Sequence, residues 1–179
     1  MEIRTKISLL ASLTLLFFGL LAAPMSNAGE TTISIQYAGV GWVTHVDGFV
    51  PDGMNVDLTT GSAQGTFGNS DITITTEFVP NPELSCPDGY TLKYALVYSA
   101  TVLTMRDQSQ LYGISQEGWI CATAEGGYFG EVKGVYVGGT GRFTTATGEF
   151  VSKFDGAYLE PNLSFRSIRG TVAGSVGTR

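Results

Sequence analysis

The stretch YVGGTGRFTTATGEF, residues 136 to 150, sets Gly138, Gly139, Gly141 and Gly148 beside Phe143 and Phe150. A glycine-rich loop of this kind cradles a phosphate when it joins a strand to a helix, because the backbone N–H groups of the helix start face the anion. Here the third glycine of G-x-G-x-x-G is missing: Arg142, Phe143 and Thr144 follow Gly141, and the residues beyond are β-branched rather than helix-forming. Neither Gly-Lys-Ser nor Gly-Lys-Thr occurs anywhere in the chain, so the P-loop pattern fails as well. The Gly-Gly-Thr-Gly run is therefore read as a hairpin turn whose glycines supply positive φ, with Phe143 and Ala146 starting the next strand.

Outward from that turn, the pattern has period two. TTISIQY at 31–37 alternates Ile33, Ile35 and Tyr37 with Thr32, Ser34 and Gln36, the signature of a half-buried strand. DITITTEFVP at 71–80 alternates in the same way until Pro80 and Pro82 end it. LKYALVYSATVL at 92–103 places Leu92, Tyr94, Leu96, Tyr98, Ala100 and Val102 on one face if the alternation is strict. Beyond residue 109 the strands shorten and glycines punctuate them, with no amphipathic helical stretch. Turn signals at this spacing predict an all-β protein, and about eight strands closing into an antiparallel, calycin-like β-barrel use the available length. Gly130, Gly134, Gly148 and Gly170, inside strands, are expected at bulges or tight bends.

The first residues carry Arg4 and Lys6, an apolar run from Ile7 to Leu21, and a small-residue ending at Ser26-Asn27-Ala28. That order reads as a secretory signal peptide over residues 1–28, leaving one barrel domain at 29–179, secreted or periplasmic and with no membrane attachment after cleavage. Without Glu2, Arg4 and Lys6, the 16 acidic and 10 basic residues fall to 15 and 8. So acidic a chain repels phosphate backbones, which argues against nucleic acid as a partner. Cys86 and Cys121, with no C-x-x-C spacing and no basic neighbour to activate a thiol, are expected to form one disulfide in an oxidising compartment.

Gly138, Gly139, Thr140, Gly141, Phe143, Ala146 and Gly148 form the pattern G-G-[T/S]-G-x-F-x-x-A-x-G. It resembles the signature turn and strand of plant dirigent proteins and allene oxide cyclases, and of exported bacterial proteins with the same barrel. The similarity covers about residues 126–155; GSAQGTFG at 61–68 and the closing RGTVAGSVG add general likeness. The resemblance implies an eight-stranded antiparallel barrel with an apolar cavity, self-associating as a trimer or dimer. It implies no single activity, because the matching residues are scaffold.

Chemistry-bearing patterns are sparse. His45, the sole histidine, has no G-x-S-x-G partner for a serine triad and too few companions for zinc, though with Asp47 it makes an i, i+2 pair on one strand face. Asp52, Asn55 and Asp57 miss the calcium-loop spacing at Met54 and read as a solvated turn; no metal or other cofactor is expected. Glu149 and Lys153 read as exterior charges, and Asn162-Leu163-Ser164 is a glycosylation sequon. Aromatics give the best functional hint: Tyr94, Tyr98, Trp119 and Tyr128, with Tyr112 and Tyr136, suit a cavity that holds a mostly apolar molecule. Tyr94, Tyr98, Trp119 and Tyr128, with Glu131 and His45, are the expected ligand-binding residues. The leading expectation is an exported barrel that binds a small apolar molecule. The rivals are a cyclase- or isomerase-type enzyme assisted by Glu131 or Glu77, and a ligand-free structural or oligomeric module.

Overall fold

The computed structural model describes residues 29–44, 56–159 and 165–178. Eight strands follow one another: β1 (Glu30–Thr44), β2 (Val56–Gly65), β3 (Gly68–Pro80), β4 (Leu92–Met105), β5 (Gln110–Ala122), β6 (Gly127–Gly139), β7 (Gly148–Tyr158) and β8 (Phe165–Gly177). Each pairs antiparallel with its sequence neighbours, and β1 pairs with β8 from Glu30↔Gly177 to Trp42↔Phe165, closing the barrel. One end carries the short connections β2–β3 and β4–β5 together with the β6–β7 link; of the described connections the other carries β3–β4 and β5–β6.

Alternation decides which side chains face the lumen, and bulges reset it. On β3 and β4 the register runs unbroken from Ser70↔Met105 to Glu77↔Tyr98, then resumes at Phe78↔Leu96, leaving Val97 as the extra residue. Ser99, Thr101 and Leu103 thus face inward on one side of the bulge, and Leu96 and Tyr94 on the other. Tyr98 points outward and is 40% exposed, contrary to strict alternation along 92–103. A second irregularity falls between Ser115 and Glu117 on β5, where Gln116 is extra, and a third lies near the end of β6.

The strand glycines do something other than bend the chain. Gly130 and Gly170 sit in regular register, both opposite Phe154, whereas Gly134, opposite Phe150 on β7, pairs on its other side with Ser115 at the β5–β6 register shift, as expected of a bulge glycine. A Cβ at Gly130 would lie 2.6 Å from Phe154 Cζ, at Gly134 2.5 Å from Phe150 Cζ, and at Gly170 2.6 Å from Tyr37 Cζ. Inward-facing rings therefore lie flat across the bare backbone of a neighbouring strand, an aromatic covering of strand glycines. Of the four glycines expected at bends, Gly148 alone has a positive φ, 149°, at the start of β7.

The β6–β7 link, residues 140–147, seals the short-turn end. Gly141–Phe143 form a single 3-10 turn, and β7 starts only at Gly148, so Phe143 and Ala146 belong to the link rather than to the strand expected there. Gly138 (φ 110°) and Gly141 (φ 57°) take the backbone through conformations that disfavour a side chain. Thr140 ties the link to β5: its N–H donates to the Gln110 carbonyl (2.8 Å) and its Oγ1 accepts from the Gln110 N–H (3.0 Å). Phe143 and Ala146 turn inward into the main core with Leu103, Leu111 and Val176. Phe67 meets Phe143 edge-on at 5.1 Å, and the Arg142 guanidinium lies 5.0 Å from the Phe143 ring centre.

Cys86 and Cys121 are disulfide-bonded, with Cα atoms 5.8 Å apart. The bond fastens the β3–β4 connection against the outside of β5, where Tyr90 packs edge-on against Phe129, and Phe129 against Trp119. It fits an oxidising compartment.

Candidate functional site

The end of the lumen opposite the β6–β7 link, called the open end for its half-exposed rings, holds an inward-facing charge pair. Arg166, at the start of β8, faces inward and is 4% exposed; its Nη1 lies 2.8 Å from Asp57 Oδ2 on β2. The two strands are not neighbours, since β1 runs between them. Arg166 crosses β1 over Gly41: a Cβ there would stand 2.7 Å from Thr59 Oγ1 and 3.0 Å from Arg166 Nε. Arg166 Nη2 also reaches Thr59 Oγ1 at 3.5 Å, and the guanidinium carbon lies 5.6 Å from the Tyr128 ring centre. Arg166 Nε and Asp57 Oδ1 are buried without a hydrogen-bond partner. Burial pushes the Asp57 carboxyl above its ordinary value and Arg166 pulls it partly back. Asp57 is thus a lumen residue, not the solvated turn residue of the sequence reading.

Around this pair the lumen is layered. Towards the open end, Ile120, Ala122 and Tyr128 pack with Phe78, Tyr94, Phe154 and Tyr158. Tyr128 is anchored by its hydroxyl, which donates to the Ser167 carbonyl at 2.8 Å, and burial drives its phenol well up. Deeper, hydroxyls from several strands face the same space. Tyr37 and Ser152 share a hydrogen bond of 3.1 Å, and Thr76 and Ser99 one of 3.3 Å. The Tyr136 hydroxyl is buried with no partner, and burial alone pushes its phenol up. Below lies the apolar floor of Ile72, Leu103, Phe150 and Val172.

The space left inside is about 40 Å³. That holds about three waters, at about 10–15 Å³ of such volume each, and is far below the several hundred Å³ of a drug-sized site. The open end is looser: Phe78 and Phe154 line the lumen, Tyr94 and Tyr158 pack with them, and all four stay partly exposed.

The expected site residues divide accordingly. Tyr94 and Tyr128 belong to the aromatic layer at the open end. Tyr98 is on the outer wall. Trp119 and Glu131 also face outward, lining a shallow hollow with Phe129, Lys153, Asp155 and Arg169, where Glu131 lies 3.5 Å from Lys153. Glu77, buried with its Oε1 unpartnered, sits on β3 between the lumen-lining Thr76 and Phe78 and so on the opposite side of the strand; among the described residues the carboxylate paired on the lumen side is Asp57. His45, Asp47, Asp52, Asn55 and Asn162 lie outside the described residues. Among the described residues no group of three or more His, Cys, Asp and Glu is placed to hold a metal ion. Sequence reasoning missed Arg166, Thr59 and Ser152; period two on β8 from Arg166 through Ile168 to Val172 was the available signal.

Compared with protein-family models, with curated proteins and with solved structures, the chain matches none.

Proposed function

We propose that the protein is exported and that its lumen binds a small, mainly apolar molecule carrying one polar group, admitted through the open end. One observation carries this reading: aromatic side chains that face the lumen there keep solvent exposure, directly above a set of buried polar groups. A barrel that served only as a scaffold would gain by replacing those groups with hydrocarbon, because buried polar groups cost free energy unless every partner is satisfied. The resting free space is small, so the guest lodges among Phe78, Tyr94, Phe154 and Tyr158 and displaces water or rings from the layer beneath. Native mass spectrometry of the chain from Gly29 onward, taken from its host's exported fraction, tests this. A retained small molecule, or stoichiometric uptake of the neutral dye N-phenyl-1-naphthylamine, is expected; an empty protein that takes up no dye rules the reading out.

A second reading rests on the outer wall. Val40, Trp42, Val97, Tyr98, Val135 and Val137 are all exposed, and Trp42 pairs directly with Leu58 on β2. These are three separate stretches on β1, β4 and β6, of which that on β1 beside Leu58 suits association between copies of the chain, compatible with a guest in the lumen.

A further inference from the structure

Resting on the reading of the lumen as a binding site, we propose that its middle layer is a head-group subsite for uncharged hydroxyl- or carbonyl-bearing apolar molecules, and that Asp57 makes it reject carboxylates. The layer is built from hydroxyls on different strands, Tyr37, Thr59, Thr76, Ser99, Tyr136 and Ser152, all facing one small space. Each hydroxyl has one donor and two acceptor positions, so the Tyr37–Ser152 and Thr76–Ser99 bonds leave capacity in both directions, and Tyr136 has no partner at all. An alcohol or a ketone needs such a mixed set of donors and acceptors.

Charge makes the selection. Among the described residues Arg166 is the one cation lining the space, and a lone arginine there would draw a carboxylate into a bidentate pair. Asp57 occupies that role from within the chain at 2.8 Å, with Arg166 almost wholly buried and Asp57 largely so. An incoming carboxylate meets a cation whose charge Asp57 already neutralises, comes close to that second negative charge behind it, and loses its own hydration. The short-turn end is filled by Phe143 and Ala146, so the head lodges among the hydroxyls and the apolar body among the half-exposed rings of Phe78, Tyr94, Phe154 and Tyr158.

The test compares decanol, 2-decanone and decanoate at neutral pH by displacement of N-phenyl-1-naphthylamine and by calorimetry. Decanol and 2-decanone are expected to bind the wild-type chain about ten-fold or more tighter than decanoate, the scale of one to two hydrogen bonds. Asp57→Asn is expected to raise decanoate affinity about ten-fold and close or reverse that gap. Because Asp57→Asn leaves a buried arginine uncompensated and can fail to fold, Thr76→Val with Ser99→Ala is the second probe. It keeps the charge pair and is expected to weaken decanol about five-fold while dye affinity falls less, within the range of one lost hydrogen bond. Decanoate binding as tightly as decanol to the wild type overturns this inference and leaves the lumen reading intact. Failure of every probe and of the dye overturns the lumen reading itself.

Discussion

Gly113 shows how closely single residues are fitted inside the barrel. A Cβ there would stand 2.9 Å from Phe150 Cε1, and its three nearest neighbours are side-chain atoms of Phe150 and Tyr136. Gly113→Ala is expected to destabilise by about 1–3 kcal/mol, as overpacking does. Phe150→Leu in the same chain should recover part of that loss, so that a double-mutant cycle by chemical denaturation gives a coupling of about 1 kcal/mol; additive losses would mean that ring and glycine do not share the space. Asp57 gives a second prediction at this scale. Its folded-state pKa lies above the ordinary 3.8, mainly through burial. Between those values the folded chain holds a proton that the unfolded chain has released, so stability falls as pH rises through that window. The wild type should therefore lose stability relative to Asp57→Asn as pH rises from 3.8, read from denaturant midpoints across a pH series; a difference that does not move with pH contradicts a buried, raised Asp57. Residue identity alone hid both features. A glycine between β-branched residues looks the same whether it bends a strand or lies beneath a ring, and Asp57 after Asp52 and Asn55 looks like a turn until Arg166, 109 positions later, is brought to it.

Strands, as elements, were the legible part: the alternations at 31–37 and 71–80 lie within β1 and β3, and Pro80 ends β3. Facing was legible only as far as each strand ran without a bulge. The extra Val97 puts Tyr94 inside and Tyr98 outside although both lie on one face of an ideal strand, and nothing local in YALVYSAT announces it. Trp119 fails for a different reason: the β3–β4 connection comes down over the outside of β5, giving an outward aromatic its own partners in Phe129 and Tyr90. The disulfide holds that connection in place. Replacing Cys86 and Cys121 by Ala should cost about 3–4 kcal/mol for a closed loop of 35 residues, because the unfolded chain regains the freedom the bond removes. The near-ultraviolet signal of Trp119 should change while the far-ultraviolet strand signal persists. Collapse of both would mean that the disulfide supports the whole barrel and not one connection.

At the scale of the molecule, closure was legible from length, turn spacing and the lack of helical periodicity, whereas the contents of the lumen were not. They depend on eight facings at once, and three bulges alter them. The outer wall has two characters. On β5 to β8 it carries cross-strand ion pairs, Glu117 with Lys133 at 2.7 Å and Asp155 with Arg169 at 2.8 Å. Val40 and Trp42 give β1 an apolar outer stretch, and Val97 and Tyr98 on β4 and Val135 and Val137 on β6 give two more. Since a closed barrel offers no free strand edge, association must use side chains on such a wall. Light scattering after size exclusion should find the chain from Gly29 onward as a dimer or trimer, and Trp42→Glu should shift it towards monomer. A wild type that stays monomeric across the accessible concentrations excludes this interface. One consequence of closure remains. Since Glu30 pairs with Gly177, the order of the strands is a ring that happens to be cut between β8 and β1. A short linker from Gly177 to Glu30, with new ends opened in the tight β4–β5 turn near Asp107, leaves every strand with the neighbours it has now. Such a circularly permuted chain should fold to the same barrel: here, where the gene begins is a fact about the gene and not about the fold.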